Sequence, residues 1–141
     1  MIFDTHAHYD SRKFNEDREE LMNQLVQEGI GRIVDIGADI ESTRKAMELA
    51  KKYDFVYAAA GVHPSEVDCL DERSFQWLTW TVEQSVEEKG KIVAVGEIGL
   101  DYYWEKDTER RNRQKHWFEC QMELARSTGL PVVIHSREAA K

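Results

Sequence analysis

Short apolar runs alternate along the chain with longer stretches in which apolar and polar residues recur at helical spacing. The apolar runs are typical of strands and cover residues 1–5, 32–37, 55–61, 91–96 and 131–134. Apolar residues three and four positions apart predict helices. The stretches with that spacing cover residues 14–28, 40–53, 71–89 and 107–127. Nearly all-apolar strands separated by helices predict a parallel sheet that is covered by helices.

Two of the predicted helices have an apolar face that identifies the side turned toward the sheet. In the second helix, Ala46 and Leu49 lie on this face. In the fourth helix, Phe118, Met122 and Ala125 are predicted to face inward. The apolar spacing therefore predicts which residues of each helix enter the core.

The length of the chain, 141 residues, leaves two architectures open. A closed (β/α)8 barrel typically needs about 250 residues, whereas the pattern here contains five strands. The chain is therefore either a smaller doubly wound sheet or the N-terminal part of a barrel.

Composition indicates the compartment in which the protein is expected. No run of about 18 apolar residues is present, so a membrane span is not expected. The first residues lack the basic and apolar regions of a secretory signal, and Cys69 and Cys120 lack the spacing of a metal site or disulfide framework. These observations favour a cytoplasmic protein.

The net charge of −8, from 19 basic and 27 acidic residues, argues against a protein that coats nucleic acid. Such proteins bind mainly through counterion release by lysine and arginine. An enzyme that holds a phosphodiester at a metal centre stays open, because bound cations reverse the local field.

Two histidines separated by one residue, His6 and His8, lie near the start of the sequence. Along a strand, side chains at i and i+2 point to the same face, about 6.6 Å apart, so both imidazoles can turn toward one cation. His63, Glu97 and His135 follow or end three other predicted strands. Because ligands bind at the C-terminal strand ends of parallel α/β folds, these residues are predicted to meet there.

Four motifs resemble a known family. They are Asp-Thr-His-Ala-His at residues 4–8, Gly-Val-His-Pro at 61–64, Gly-Glu-Ile-Gly-Leu-Asp-Tyr-Tyr at 96–103 and Pro-Val-Val-Ile-His-Ser-Arg at 131–137. In this order, they resemble the TatD-type metal-dependent deoxyribonucleases, which are barrels of the amidohydrolase-like class. The resemblance implies that residues 1–141 form a single incomplete domain, the N-terminal portion of a (β/α)8 barrel with about five βα units.

The resemblance also implies a metal centre and a reaction. His6 and His8 would bind one divalent ion, Glu97 would bridge it to a second ion, and His135 would bind the second. Such a pair of ions activates water against a phosphodiester bond. Zinc, manganese, nickel and magnesium all remain open as the metal. The expected substrate is DNA, in particular single-stranded ends.

Further residues are expected near the substrate. His63 and Arg137 could contact phosphate, and Asp101 and Tyr102 lie in the segment that follows Glu97. Aromatic side chains there, including Trp104, could stack on an unpaired base. A basic run on the fourth helix (Arg110, Arg111, Arg113, Lys115) and His116 is interpreted as an ordinary helix surface.

Members of the family continue through three further βα units, which add a histidine ligand and an aspartate ligand. The resemblance therefore predicts that these 141 residues bind metal weakly and cleave DNA slowly or not at all. It also predicts an open sheet edge through which copies could associate.

Two other functions stay open at this point. One is a metal-dependent hydrolase that acts on a small amide, lactone or amine. The other is a non-catalytic half-barrel that serves as a binding module.

Overall fold

The computed structural model describes residues 1–140, in which strands and helices alternate. The strands are β1 (Ile2–Ala7), β2 (Ile30–Ile36), β3 (Val56–Ala60), β4 (Ile92–Asp101) and β5 (Val132–Arg137). The helices are α1 (Arg18–Gln27), α2 (Ile40–Lys52), α3 (Glu72–Glu87) and α4 (Thr108–Thr128). Two 3₁₀ turns, Arg12–Phe14 and Pro64–Cys69, follow β1 and β3.

The strands form one parallel sheet in the order β1-β2-β3-β4-β5. The predicted arrangement of five strands joined by helices is therefore confirmed. Helix starts are fixed by side-chain caps: Asp39 and Asp71 each accept a hydrogen bond from the backbone of a serine three residues on, at the starts of α2 and α3.

The first helix begins later than predicted. Residues 12–14 form a 3₁₀ turn, and α1 begins at Arg18. The guanidinium of Arg18 donates hydrogen bonds to the carbonyls of Tyr9 and Ser11, at 2.6 and 2.8 Å. These bonds hold the preceding segment as a loop around Arg18, which apolar spacing cannot reveal.

The fourth strand is longer than predicted because its glycines lie within it. β4 continues past Gly96 to Asp101. A Cβ at Gly96 would collide with the side chain of Val133, and a Cβ at Gly99, where φ is +147°, would collide with the carbonyl of His135. These glycines allow β5 to approach β4 closely, and Glu97 lies inside the strand instead of after it.

The largest core lies between the sheet and the helices. It contains Met22 of α1, Ile33 of β2, Leu78 and Val82 of α3, and Ile98 of β4. The other face of the sheet carries a smaller apolar cluster centred on Ile36, Ala59 and Ala94. Burial of these side chains on both faces explains why the strands are almost wholly apolar.

The inward face of α4 differs from the prediction. Met122 is 40% exposed and Phe118 is half-buried, whereas Ala125 is buried as expected. The buried face consists of Gln114, Trp117, Gln121, Leu124 and Ala125. Two glutamines thus occupy positions that an apolar pattern assigns to hydrophobic residues.

The edges of the sheet carry exposed apolar side chains. Ile2 and Phe3 lie on β1, and Ile134 lies on β5. Self-association through such an edge stays a prediction, which light scattering can test. None of the described helices combines the length and apolar character required to cross a membrane.

Candidate metal centre

The two N-terminal histidines lie at the end of β1. His6 is inside the strand and His8 follows it directly, and their ring centroids are 5.1 Å apart. Nδ1 of His8 lies 3.0 Å from the carbonyl oxygen of Ile36. A carbonyl only accepts, so this nitrogen carries the hydrogen, and the lone pair of a neutral ring is on Nε2.

The loop after His8 is fixed by two side chains that the sequence did not single out. Arg18 donates to three successive carbonyls, those of Tyr9, Asp10 and Ser11. Oδ1 of Asp35 accepts from the backbone N–H of Tyr9 at 2.6 Å. Together they hold the backbone that follows the histidine pair.

Asp35 is fully buried on β2. Burial, followed by a hydrogen bond with the carboxyl group of Asp10, raises the pKa of Asp35 to about 8. Among residues 1–140, Oδ2 of Asp35 and Oδ1 of Asp10 are buried without another partner. One proton shared by the two carboxyl groups accounts for both oxygens at neutral pH.

Glu97 lies between two sets of imidazoles. Its Oε2 is 3.4 Å from Nε2 of His6, and its Oε1 is 3.2 Å from Nδ1 of His135. The side chain is only 13% exposed. Within residues 1–140, it forms ion pairs only with the imidazoles of His6 and His135. Its backbone N–H donates to the carbonyl of Gly37 at 2.9 Å, which fixes the strand at this level.

Asp101 binds the opposite side of His135. Its Oδ2 is 2.9 Å from Nε2 of His135, and its Oδ1 accepts from the N–H of Tyr103 at 3.1 Å. Burial by itself raises the pKa of Asp101, but the hydrogen bonds with His135 and the Tyr103 N–H outweigh it and lower the pKa. Asp101 is therefore ionised and accepts the Nε2 hydrogen of His135.

This hydrogen bond determines whether Nδ1 of His135 carries a hydrogen or a lone pair. When Nε2 carries the hydrogen of the neutral ring, Nδ1 presents a lone pair toward Oε1 of Glu97, 3.2 Å away. Two lone pairs facing each other repel, and a cation between them removes the repulsion. The donor set therefore fits a metal ion, since a carboxylate that orients a metal-binding histidine is a recurrent arrangement.

His63 differs from the other histidines. Its Nδ1 accepts the backbone N–H of Ser65 at 3.1 Å, so the hydrogen of the neutral ring is on Nε2. Burial and the neighbouring His135, whose ring centroid is 4.2 Å away, lower the pKa of His63. His63 is therefore a neutral hydrogen-bond donor at Nε2.

Two groups of donor atoms share one carboxylate. The first group consists of His6, His8 and Glu97. The second consists of His63, Glu97 and His135. Within each group, the donor atoms lie within 4.8 Å of one another. Imidazole and carboxylate suit zinc, manganese and nickel. His63 is close enough to belong to the second group, but its Nδ1 lone pair already accepts the Ser65 N–H. His135 and Glu97 are therefore the stronger ligands there.

The other predicted site residues lie around this centre with different surroundings. Arg137 at the end of β5 places its guanidinium 5.1 Å from the ring centre of Tyr103, and the rings of Tyr103 and Trp104 are 4.5 Å apart. Trp104 is 76% exposed. Tyr102, in contrast, packs its ring against Arg111 of α4.

Sequence reasoning missed the side chains that support the centre. Asp35 was visible as a carboxylate within an apolar strand, which is a sign of a buried polar contact. Arg18 binds backbone carbonyls, and Ser65 contacts Nδ1 of His63 through its N–H and, at 2.7 Å, through its hydroxyl. Such contacts leave no pattern in a sequence. His116 lies exposed on α4 beside Cys120, in line with its interpretation as a helix residue.

Comparisons with known proteins agree with the four motifs. The family described as TatD related DNase matches residues 3–141. An uncharacterized metal-dependent hydrolase of Bacillus subtilis, YabD, is 42% identical over 141 residues, which are 100% of this chain and 52% of that protein. The 3'-5' ssDNA/RNA exonuclease TatD of Cronobacter sakazakii is 29% identical over 138 residues, 98% of this chain and 50% of that protein.

A solved structure resembles the fold over the same extent. The crystal structure of YjjV, a TatD homologue from Escherichia coli, has a TM-score of 0.81 and 34% identity, and the match covers 97% of this chain and 51% of that one. The chain thus spans about half the length of the relatives it matches. The match confirms the expected fold class, the N-terminal portion of a TIM-type barrel. The chain belongs to the family of TatD related DNases.

Proposed function

We propose that this chain carries the metal-binding part of a metal-dependent deoxyribonuclease that hydrolyses phosphodiester bonds. The observation that carries the proposal is the position of Glu97, whose two oxygens face different histidines, His6 and His135. A carboxylate with one oxygen toward each imidazole set suits a bridge between two cations. The names of the relatives, a metal-dependent hydrolase and a 3'-5' exonuclease, support the same reaction class.

The residues that would hold the cations follow from the free lone pairs. His8 through Nε2, His6 and Oε2 of Glu97 would hold one divalent ion. Nδ1 of His135 and Oε1 of Glu97 would hold a second. When bound, a pair of such ions supplies an activated water and stabilises the departing oxygen of the phosphodiester.

Other side chains of this chain would bind the substrate. Nε2–H of His63 is free to donate to a phosphoryl oxygen. Arg137 has a planar fork that suits phosphate. Tyr103 and Trp104 offer exposed rings on which an unpaired base could stack, which favours single-stranded ends.

We propose different roles for two residues that the sequence predicts to contact the substrate. Asp101 is buried and hydrogen-bonded to His135, so we assign it to orienting that ring. Tyr102 packs on Arg111, so we assign its ring to supporting the loop. Neither assignment requires contact with the substrate.

The 141 residues by themselves are proposed to be weakly active. The resemblance implies a further histidine and a further aspartate ligand outside these five βα units. With part of the ligand set, cations would bind less tightly and the attacking water would lack its proton acceptor.

A nuclease assay with matched variants tests the proposal. Labelled single-stranded and duplex DNA would be incubated with the chain, with Glu97→Gln, and with the chain joined to the remaining half of the Bacillus subtilis relative, each with Mn²⁺ or Zn²⁺. We expect little cleavage by the chain, faster cleavage of single strands by the joined protein, and loss of that cleavage in its Glu97→Gln form.

Three results would contradict the proposal or a part of it. Hydrolysis of a lactone or amide panel without cleavage of DNA by the folded joined protein would favour a small-molecule hydrolase. A joined protein that is folded by circular dichroism but binds no metal would favour a non-catalytic module. Equal turnover by the chain and the joined protein would contradict the weak activity proposed for the 141 residues.

A further inference from the structure

Two buried glutamines lie on the inward face of α4. Gln114 is 4% exposed and Gln121 is 1% exposed. They are seven residues apart, or about two helical turns, so both side chains leave the helix on the same side. A buried amide is costly unless its oxygen and its N–H groups are hydrogen-bonded, so its partners indicate what the side chain does.

Gln121 binds the peptide groups on both sides of Val62. Its Oε1 accepts from the backbone N–H of Val62 at 2.7 Å, and its Nε2 donates to the carbonyl of Val62 at 3.2 Å. Nε2 also donates to the carbonyl of Trp117 in its own helix. Val62 directly precedes His63, so Gln121 fixes the backbone from which that imidazole extends.

Gln114 makes the same pair of bonds one strand further along the sheet. Its Oε1 accepts from the backbone N–H of Asp101 at 2.9 Å, and its Nε2 donates to the carbonyl of Asp101 at 3.1 Å. The carboxylate of Asp101 in turn holds Nε2 of His135 at 2.9 Å. Gln114 is therefore connected to His135 through a single residue.

Each amide gives its target residue the hydrogen bonds that a neighbouring strand would give. β3 ends at Ala60, so the peptide groups of Val62 lie beyond the end of that strand. A primary amide is the side chain suited to this role, because it offers one acceptor and one donor in the geometry of a peptide.

We propose that Gln114 and Gln121 are positioning residues of the metal centre. Gln121 sets the place of His63, and Gln114 sets Asp101 and, through it, the ring orientation of His135. The inference rests on the proposed function only in taking these histidines as site residues. An outer helix thus controls the centre through two independent connections, one to each of two histidines.

The test compares Gln114→Met and Gln121→Met with a matched control. Methionine keeps the length of glutamine and removes both hydrogen bonds. Gln76→Met is the control, because Gln76 is exposed on α3 and bonds only to Glu72, at 3.4 Å. The five histidine rings would be observed by nitrogen-15 NMR in the metal-free chain, at one mildly alkaline pH.

We expect selective changes. In Gln114→Met, the ratio of the Nε2–H to the Nδ1–H form of His135 should fall about tenfold, the change expected when a hydrogen bond to a charged group is weakened. The resonances of His63 should stay unchanged. In Gln121→Met, the resonances of His63 should move while the tautomer ratio of His135 stays constant.

Zinc affinity supplies a second readout. Gln114→Met should lower it by about 10- to 100-fold, as is usual when the support of a metal ligand is lost, and Gln121→Met should leave it within about threefold of the parent, because His63 donates a hydrogen at Nε2. If Gln114→Met does not fold, Gln114→Glu replaces it, since its carboxylate keeps the acceptor for the Asp101 N–H but has no donor for the Asp101 carbonyl.

Two outcomes would overturn the inference. In the first, both variants unfold more easily, but His63 and His135 change no more than in Gln76→Met. In the second, all the histidines change together, as expected for general loosening. The NMR result needs neither metal nor DNA, so it stands apart from the proposed function, which fails if the joined protein cleaves no DNA.

Discussion

The carboxylate of Asp101 lies 2.9 Å from Nε2 of His135, and the other nitrogen of that ring lies 3.2 Å from Glu97. His135 is thus held between two carboxylates, of which the buried Asp101 is ionised. This arrangement gives the ring one orientation and directs one lone pair toward Glu97. We therefore assign Asp101 to the candidate centre as the residue that orients His135, a role that requires no contact with a substrate or a cation.

Loss of the Asp101 carboxylate should weaken metal binding. In Asp101→Asn, the amide can turn an N–H toward Nε2 of His135 and favour the wrong tautomer. We expect zinc affinity, measured by titration calorimetry, to fall about 10- to 100-fold. Asp68→Asn is the control, because Asp68 is exposed and pairs with Arg113. Equal affinities in the two variants would show that Asp101 does not orient the ligand.

Asp35 should make the chain less stable as the pH rises. Its pKa in the folded chain is raised to about 8, by burial first and by the bond with Asp10 second, whereas an unfolded aspartate titrates near about 3.9. The folded state holds this proton more tightly, so its contribution is complete below about pH 4 and is lost as the pH rises through about 8.

Asp35→Asn should remove this dependence. The amide keeps an oxygen for the N–H of Tyr9 and offers an N–H to Asp10 in place of the shared proton. Between about pH 5 and pH 8, urea unfolding should show that the variant loses about 2–4 kcal/mol less stability than the parent. Histidine titration is common to both proteins and cancels. Parallel curves would show that Asp35 is ionised throughout.

Trp104 should contribute to binding of single-stranded DNA. Stacking of one base on an aromatic ring is worth about 1–3 kcal/mol, so Trp104→Ala should weaken binding of a short oligonucleotide by about tenfold in fluorescence anisotropy. Trp80 is a matched control, since it is 59% exposed but lies on α3. Similar affinities of Trp104→Ala and Trp80→Ala would remove Trp104 from the substrate surface.

Replacement of Gly99 by alanine should destabilise the chain more than the same replacement of Gly29, another glycine with positive φ. Gly29 has φ +94° and open space around its Cα, whereas Gly99 has φ +147° and the carbonyl of His135 where a Cβ would lie. Gly29→Ala should cost about 1–2 kcal/mol from backbone strain alone. Gly99→Ala should cost about 1–3 kcal/mol more, because the new methyl group collides with the carbonyl of His135. It should also lower zinc affinity. Equal unfolding free energies would contradict the close approach of β4 and β5.

The order of strands and helices could be predicted from the sequence because burial on both faces makes the strands almost wholly apolar. The extent of β4 could not, since Gly96 and Gly99 resemble a strand end until the neighbouring backbone is known. The inward face of α4 was assigned to Met122 because a sequence does not show that Gln114 and Gln121 have buried peptide partners.

The candidate ligands were recognisable for a similar reason. His6, His8 and His135 stand at or near the ends of β1 and β5, and a parallel sheet brings these ends together. Glu97 lies within β4, beside His6 and His135. What the spacing could not give is the tautomer of each ring, which depends on the carbonyl of Ile36, the N–H of Ser65 and the carboxylate of Asp101. Those partners are distant in sequence or act through the backbone.

The most direct test is an anomalous diffraction map of crystals soaked in Zn²⁺. We propose that Glu97 joins two sets of histidines around divalent cations. The map should show one peak within about 2.3 Å of each Glu97 oxygen, one toward His6 and His8 and one toward His135, and crystals of Glu97→Gln should lose or weaken both. A map without a peak beside Glu97, at a zinc concentration that fills other histidine sites, would contradict the claim.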